Sequence, residues 1–282
     1  MEKINITIDK EKYDFDKGIT LLEISKKLHK DKFPVLVAYV DNEIFSLDKK
    51  INNDCNVRFV NVLDPIGNRI YQKGLFFVLA YAFKELFGYN YYVKACHSID
   101  KAVKFRTNLY LDHDRINMIK SKMKEIIDSD IPISKCLVSR KEAREYFLSI
   151  KDTSKADTFI YNTNHYVTLY KLGDLYDYFF CAMPVSTGVF KDFDIYLLDK
   201  GSFILQFPAI SDDGKIPEYV NREKIVKAFD ENYSLSKKLG IFNSVDINMA
   251  VANGNISDII KLTETISSNN LLNLAREIYD KK

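Results

Sequence analysis

The sequence lacks a phosphate-binding loop. Its ten glycines are scattered singly, and nothing matches G-x-x-x-x-G-K-[ST], whose backbone amides and lysine cradle phosphates. Nucleotide kinase chemistry would therefore have to lie outside these 282 residues. Cysteine is also sparse. Cys55, Cys96, Cys136 and Cys181 are widely separated with no CxxC pair, which excludes a cysteine-rich zinc knuckle and fits the reduced thiols of a cytoplasmic protein. No window approaches the roughly 20 apolar residues that a bilayer span needs, so no membrane partner is expected. The opening residues, MEKINITIDK, alternate polar and apolar side chains and so do not read as a secretory signal. Charge of either sign is not in excess: the net value is +2, which neither demands nor excludes a nucleic-acid partner. There is no internal repeat and no low-complexity tract.

What is present suits an ordinary folded protein. Apolar residues make up 46% and charged residues 28%, enough to build a real core, and the length predicts two or three compact units. The first, residues 1–62, reads as strand, strand, helix, strand, strand. Lys3 to Ile8 alternates as a half-buried strand and Tyr13-Asp14-Phe15 continues it. Thr20 then stands as an N-cap, with Glu23 completing a capping box ahead of Leu21, Leu22, Ile24 and Leu28. Val35 to Val40 and Val57 to Val60 are two further strands, with Asp41-Asn42 as turn chemistry between them. That order in about sixty residues predicts a small β-grasp arrangement.

Asp64-Pro65-Ile66-Gly67-Asn68 reads as a turn-rich boundary, and residues 67–210 as a second, α+β unit. Tyr71 to Phe87 is apolar on most faces, as expected of a helix buried on several sides. Tyr91 to Ala95 and Leu109 to Leu111 read as strands. Asp114 to Ile127 reads as an amphipathic helix capped by Asp114, and Ser139 to Ile150 as a helix with a second capping box, Ser139 and Glu142. From Val167 to Phe207 strands dominate, including LYDYFFCAMP and a hairpin turning at Asp199-Lys200-Gly201. A polar connector precedes a helical segment, residues 218–282, in which Gly240 closes Lys224 to Leu239 and Asn253-Gly254 closes Ser244 to Ala252.

Two stretches together carry a resemblance. The G-x-x-L-x-x-I beginning at Gly18 and PVLVAYVDN at Pro34 to Asn42 resemble a TGS domain, a ubiquitin-like β-grasp. VKACHSID around His97, LYKLGDLYDYFFCAMPVSTGVFKDFDIYLL from Leu169 to Leu198, and GSFILQFP from Gly201 resemble the domain that follows TGS in threonyl-tRNA synthetases. The order of modules is similar to bacterial uridine kinase-like proteins, which place them ahead of a kinase domain. DINMAVANGNISDIIKLTE from Asp246 looks like the linker into that domain. The resemblance implies an α+β chain: a β-grasp domain, a synthetase editing-like α+β domain, then a helical linker. It implies a non-catalytic accessory region of a nucleoside kinase, with that kinase domain as partner. ATP and Mg would serve only the absent domain, and no cofactor is expected in this segment. The alternative it leaves open is an RNA- or tRNA-binding module derived from the synthetase. Self-association is compatible with either.

The synthetase domain edits mischarged tRNA with an HxxxH on its first long helix and a CxxxH further on, and two histidines four apart share one helix face. The resemblance places Lys73 and Phe77 at the HxxxH positions, Cys181 at the cysteine and Val185 at the partner histidine. Hydrolysis by that route is therefore not expected, since phenylalanine neither binds metal nor moves a proton. Cys181 reads as a structural thiol or a lone nucleophile. His97 and Ser98 read as a domain-seam pair or as ligands to a phosphate or ribose. Lys94 and Arg106, interleaved with Tyr91, Tyr92 and Phe105 alongside Lys101 and Lys104, read as a solvated strand or a single-stranded nucleic-acid surface. Arg140, Lys141 and Arg144 are candidates to extend it. Ser186-Thr187-Gly188 reads as a tight connecting turn or an anion-binding nest. Asp112-His113-Asp114 reads chiefly as a helix start, with a metal cluster as the lesser alternative.

Overall fold

The computed structural model describes residues 2–220 and 222–281. Met1, at the start of the expected β-grasp unit, and Asn221 and Lys282, at the ends of the expected helical segment, lie outside the described residues. The chain divides into two compact units, Met1–Val138 with Tyr166–Arg222, and Ser139–His165 with Glu223–Lys282.

Within the first unit the amino-terminal residues form a β-grasp. Strands β1 (Lys3–Ile8), β2 (Glu11–Asp16), β3 (Val37–Val40), β4 (Glu43–Phe45) and β5 (Cys55–Val60) make one sheet in the order β2-β1-β5-β3-β4. Its central pair, β1 and β5, is parallel. Period-two alternation sends Ile4, Ile6 and Ile8 into a core with Leu21 and Ile24 of α1 (Leu21–Leu28). The expected capping box is present: the Thr20 hydroxyl accepts from the Glu23 amide and the Glu23 carboxylate accepts from the Thr20 amide. Asp41 and Asn42 have φ of 47° and 76°, the left-handed pair that a tight hairpin turn needs. That turn opens β4, a strand too short for the sequence pattern to announce.

The other face of this sheet carries Val37, Val60 and Ile44 into a larger core built on α2 (Pro65–Phe87). Asp64 to Asn68, expected as a boundary turn, is instead the first turn of α2. The Asp64 carboxylate accepts from the Ile66 and Gly67 amides, and Pro65 occupies a first-turn position where its missing N–H costs nothing. Glycine is required on this helix. A Cβ on Gly67 would stand 1.9 Å from the Asn61 carbonyl oxygen, and one on Gly74 would stand 2.0 Å from the Phe190 ring.

A four-stranded sheet packs against α2, ordered β11-β12-β7-β6 from β6 (Val93–Ile99), β7 (Ala102–Thr107), β11 (Asp194–Asp199) and β12 (Ser202–Gln206). The β11–β12 hairpin turns at Asp199-Lys200-Gly201 as expected. Leu109 to Leu111 is not a strand. The strand lies earlier, over Ala102–Thr107, and Leu109 and Leu111 are buried in the connection to α3 (His113–Asp128). Asp112, not Asp114, caps α3, accepting from the Arg115 amide at 2.8 Å. A three-stranded sheet follows from β8 (Ile133–Ser139), β9 (Tyr166–Leu172) and β10 (Leu175–Asp177), ordered β10-β9-β8. LYDYFFCAMP is strand only over Leu175–Asp177. Phe179 packs against Phe77, which takes the remaining aromatic run off the sheet.

The second unit is helical: α4 (Arg140–Ser149), α5 (Thr153–Thr158), α6 (Glu223–Lys238), α7 (Ser244–Ala252) and α8 (Ile256–Asp280). The Ser139–Glu142 capping box opens α4 as expected. Phe147 stacks on Phe159 at 5.7 Å, and the Asn243 amide, which caps α7, donates to the Ser154 hydroxyl. Among the described residues no helix is long and apolar enough to cross a membrane.

Candidate functional site

Helix α2 presents Lys73 and Phe77 one turn apart. Phe77 is fully buried and its ring meets Phe179 at 5.2 Å, while Phe179 meets Tyr170 of β9 at 6.3 Å. Phe77, Phe179 and Tyr170 thus form an aromatic cluster with tilted and edge-on rings. Lys73 stays exposed, its ammonium 5.2 Å from the Phe76 ring. Cys181 packs against the same core as Phe77. Burial pushes its thiol above the ordinary value, and the Lys73 ammonium pulls the other way without winning. A thiol held protonated is a poor nucleophile.

Tyr170 anchors the segment that carries Cys181, donating its hydroxyl to the Cys181 carbonyl at 3.0 Å. Burial pushes its phenol up to about 12, and the Cys181 and Asp48 charges add to that effect. Val185 packs against the β-grasp core, and its carbonyl accepts from the Ile133 amide. The Lys73–Phe77–Cys181 set of the sequence therefore comes together, with Tyr170 and Phe179 as members that sequence reasoning missed. Alternation in YVTLYKL places Tyr170 on a buried face, but nothing local says which loop it holds.

The other candidates fall in two separate places. Thr187 has no exposed surface; its hydroxyl donates to the Ile126 carbonyl and accepts from the Ile131 amide. The Gly188 amide donates to Asp130 Oδ1 at 2.9 Å, and Ser186 pairs with Pro132 across a bridge. The donors that a nest would offer an anion are already engaged, so this stretch is built as a connecting turn. On the β6–β7 ladder Lys94 lies opposite Arg106, His97 opposite Lys104 and Ser98 opposite Val103, with a bulge between Ala95 and His97. Lys94 also stands 5.5 Å from the Tyr92 ring. Phe105 is not a surface aromatic: it is 3% exposed, stacked on Phe203 and edge-on to Phe76. Lys101 is paired with Asp212 at 2.7 Å. Arg140, Lys141 and Arg144 belong to the helical unit, where an Arg140 guanidinium nitrogen donates to the Asn162 carbonyl.

With this geometry in hand, comparison with known proteins points one way. The chain is 30% identical over 204 residues to the threonine–tRNA ligase of Thermotoga maritima, covering 68% of this chain and 30% of the ligase. It is 28% identical over 249 residues to that of Finegoldia magna, covering 82% and 38% respectively. The ligase of Halorhodospira halophila is 30% identical over 190 residues, covering 64% and 29%. This chain carries a threonine–tRNA ligase-like region. It spans about a third of the length of the curated relatives it matches. No family model matches the chain. The ligase-like region reaches beyond the β-grasp, because 82% coverage must include most of the α+β portion that holds Lys73 and Cys181.

Proposed function

We propose that this chain is an RNA-binding module of threonine–tRNA ligase type, in which a TGS-like β-grasp and a degenerate editing cleft receive the end of a tRNA without hydrolysing it. The observation that carries this reading is the convergence of Lys73, Phe77 and Cys181. The likeness of the chain to the ligases over 82% of its length supports reading that set as the counterpart of a hydrolytic site. The side chains there are an aromatic cluster, a cation and a protonated thiol. Lys73 keeps one cationic contact for a phosphate, while the set offers no histidine or carboxylate to shuttle a proton.

Titration of fluorescent tRNA against the chain tests it. Binding at low salt that weakens steeply as salt rises is expected, because each neutralised phosphate releases counterions, and Lys73→Ala should weaken it further. Deacylation of mischarged tRNA should be no faster than in buffer. Absence of tRNA binding at low salt overturns the proposal.

A second reading rests on the order of sequence motifs: an accessory region that precedes a uridine kinase-like domain. The relatives named above are ligases, so that order alone supports it. In that arrangement ATP, Mg and nucleoside phosphorylation belong to the further domain. Turnover of ATP and uridine by this segment itself would contradict the reading.

A further inference from the structure

The β-grasp carries a second groove, away from Lys73 and Cys181. Tyr39, Asp41, Asn42, Asn56, Val57 and Arg58 line a concavity of about 530 Å³, within the roughly 300–1,000 Å³ of small-molecule sites. It forms where the β3–β4 turn meets β5. Tyr39 and Arg58 are directly opposed on adjacent strands, and the guanidinium carbon of Arg58 lies over the Tyr39 ring, 4.4 Å from its centroid. Arg58 Nη1 also donates to Asp64 Oδ2 at 2.8 Å. Ring and carboxylate together fix the guanidinium plane, yet the side chain is 53% exposed. Its outer face is therefore a rigid, cationic, planar platform. Its Nε and Nη2 donate to no group among the described residues.

The groove's edges suit a polar ring. Asp41 Oδ1 is occupied, accepting from the Asn56 amide at 2.8 Å and from Asn56 Nδ2 at 3.3 Å. Its second carboxylate oxygen is left to accept a hydroxyl. The Asn42 side chain is exposed and makes no hydrogen bond among the described residues, so it offers one amide donor and one acceptor side by side. That edge matches the paired donor and acceptor of a nucleobase. Arginine planes stack on bases as aromatic rings do. The charge selects further. Among the lining residues the charges of Asp41 and Arg58 cancel, and Asp64 already takes one edge of the guanidinium, so the groove has no surplus cation to hold a phosphate.

We propose that this groove binds a free nucleoside, its base stacked on the outer face of Arg58 and read by Asn42, with Asp41 accepting from a ribose hydroxyl. An unpaired base within an RNA strand offers the same ring but brings phosphates beside Asp41, with no cation in the groove beyond the Asp64-paired Arg58 to offset them, which is the reason for choosing the free nucleoside.

Amide and guanidinium NMR of the full chain tests this with adenosine, guanosine, cytidine and uridine, and in parallel with adenosine 5′-monophosphate and a short oligonucleotide. At least one nucleoside should shift the Arg58 Nε–H, Asn42 and Asn56 side-chain signals saturably, with the monophosphate binding more weakly than adenosine. Arg58→Lys keeps the charge and loses the plane, and should weaken binding about fivefold or more. Asn42→Gly, which suits the left-handed φ of 76° and removes only the side-chain amide, should weaken it about threefold while leaving the fold intact. Three results overturn the proposal: no shift with any nucleoside, tighter binding of the monophosphate or oligonucleotide, or equal binding by both variants and the parent chain.

Discussion

Helices α2 and α8 are nearly equal in length, 23 and 25 residues, and live in opposite surroundings. Helix α2 buries eleven of its residues, including Phe77, Val78, Leu79 and Phe83, and tolerates contact so close that Gly67 and Gly74 have no room for a methyl group. Helix α8 buries none, and Leu271, Leu272, Leu274 and Ile278 are each more than half exposed. The sheet side of the first unit follows the first pattern: β12 buries every residue from Ser202 to Gln206. Isolated helices are marginal in water because one costly nucleus must be offset by packing. The two regions should therefore open at different free energies, α2 near the global value and α8 far below it.

The largest way to test that difference is Phe77→Ala. Removing a fully buried ring from the centre of the first unit should cost about 3–5 kcal/mol, transfer loss and residual cavity together. Urea unfolding followed by the near-ultraviolet signal of the tyrosines reads it. Phe147→Ala removes the ring that stacks on Phe159 in the other unit, with a local cost of about 3 kcal/mol. Hydrogen exchange should then show α4 and α5 losing protection while α2 keeps its own. Equal loss of α2 protection in both variants would show one cooperative body rather than two.

Local chemistry was readable in the sequence wherever a few neighbouring residues decide the outcome. The capping boxes at Thr20 and Ser139, the Asp41-Asn42 and Asp199-Gly201 turns, and the glycine that ends α6 are each dictated by short-range hydrogen bonding or φ preference. Misreadings came where distant packing overrides local pattern. Asp64 to Asn68 has the composition of a turn, but Asp64 is held as a cap by Arg58 and the helix amides. Phe105 looked like a surface aromatic because its neighbours Lys104 and Arg106 are charged, and Phe76 and Phe203 bury it. At the candidate site the absence of histidine at Phe77 and Val185 was legible in the sequence. Tyr170 was not, since it reaches the Cys181 carbonyl only through the folded chain, and neither was Asp48, which acts on Tyr170 in the same way.

Thr187 gives a smaller and more local test. Its hydroxyl satisfies the Ile126 carbonyl and the Ile131 amide at once inside a buried turn. Thr187→Val keeps the shape and leaves both backbone groups without that partner, at about 1–3 kcal/mol, while tRNA binding by the intact fraction stays unchanged. Loss of tRNA binding with unaltered stability would instead make this turn part of the RNA site.

The smallest effect is the most selective for how the two regions are anchored. Helix α8 begins at Asn255 without a side-chain cap, whereas Asp64 both caps α2 and pairs with Arg58 of β5. Burial pushes the Asp64 carboxyl up, but the Arg58 guanidinium and the Ile66 and Gly67 amides outweigh it and hold the group below its ordinary 3.8. A carboxyl with a lowered folded pKa binds its proton more weakly in the folded chain than in the unfolded one. Its contribution is therefore complete above the ordinary carboxylate range and disappears as pH falls through the folded value. Asp64→Asn keeps a competent cap and removes only the charge. The variant should be less stable than the parent by about 1 kcal/mol at neutral pH, modest because Arg58 is half exposed. The gap should close as urea midpoints are measured at successively lower pH, from about 6 towards 3, while other titrations cancel between the two proteins. A gap that stayed constant down to pH 3 would assign the Asp64 contribution to shape alone and leave the charged tie between β5 and α2 without a role.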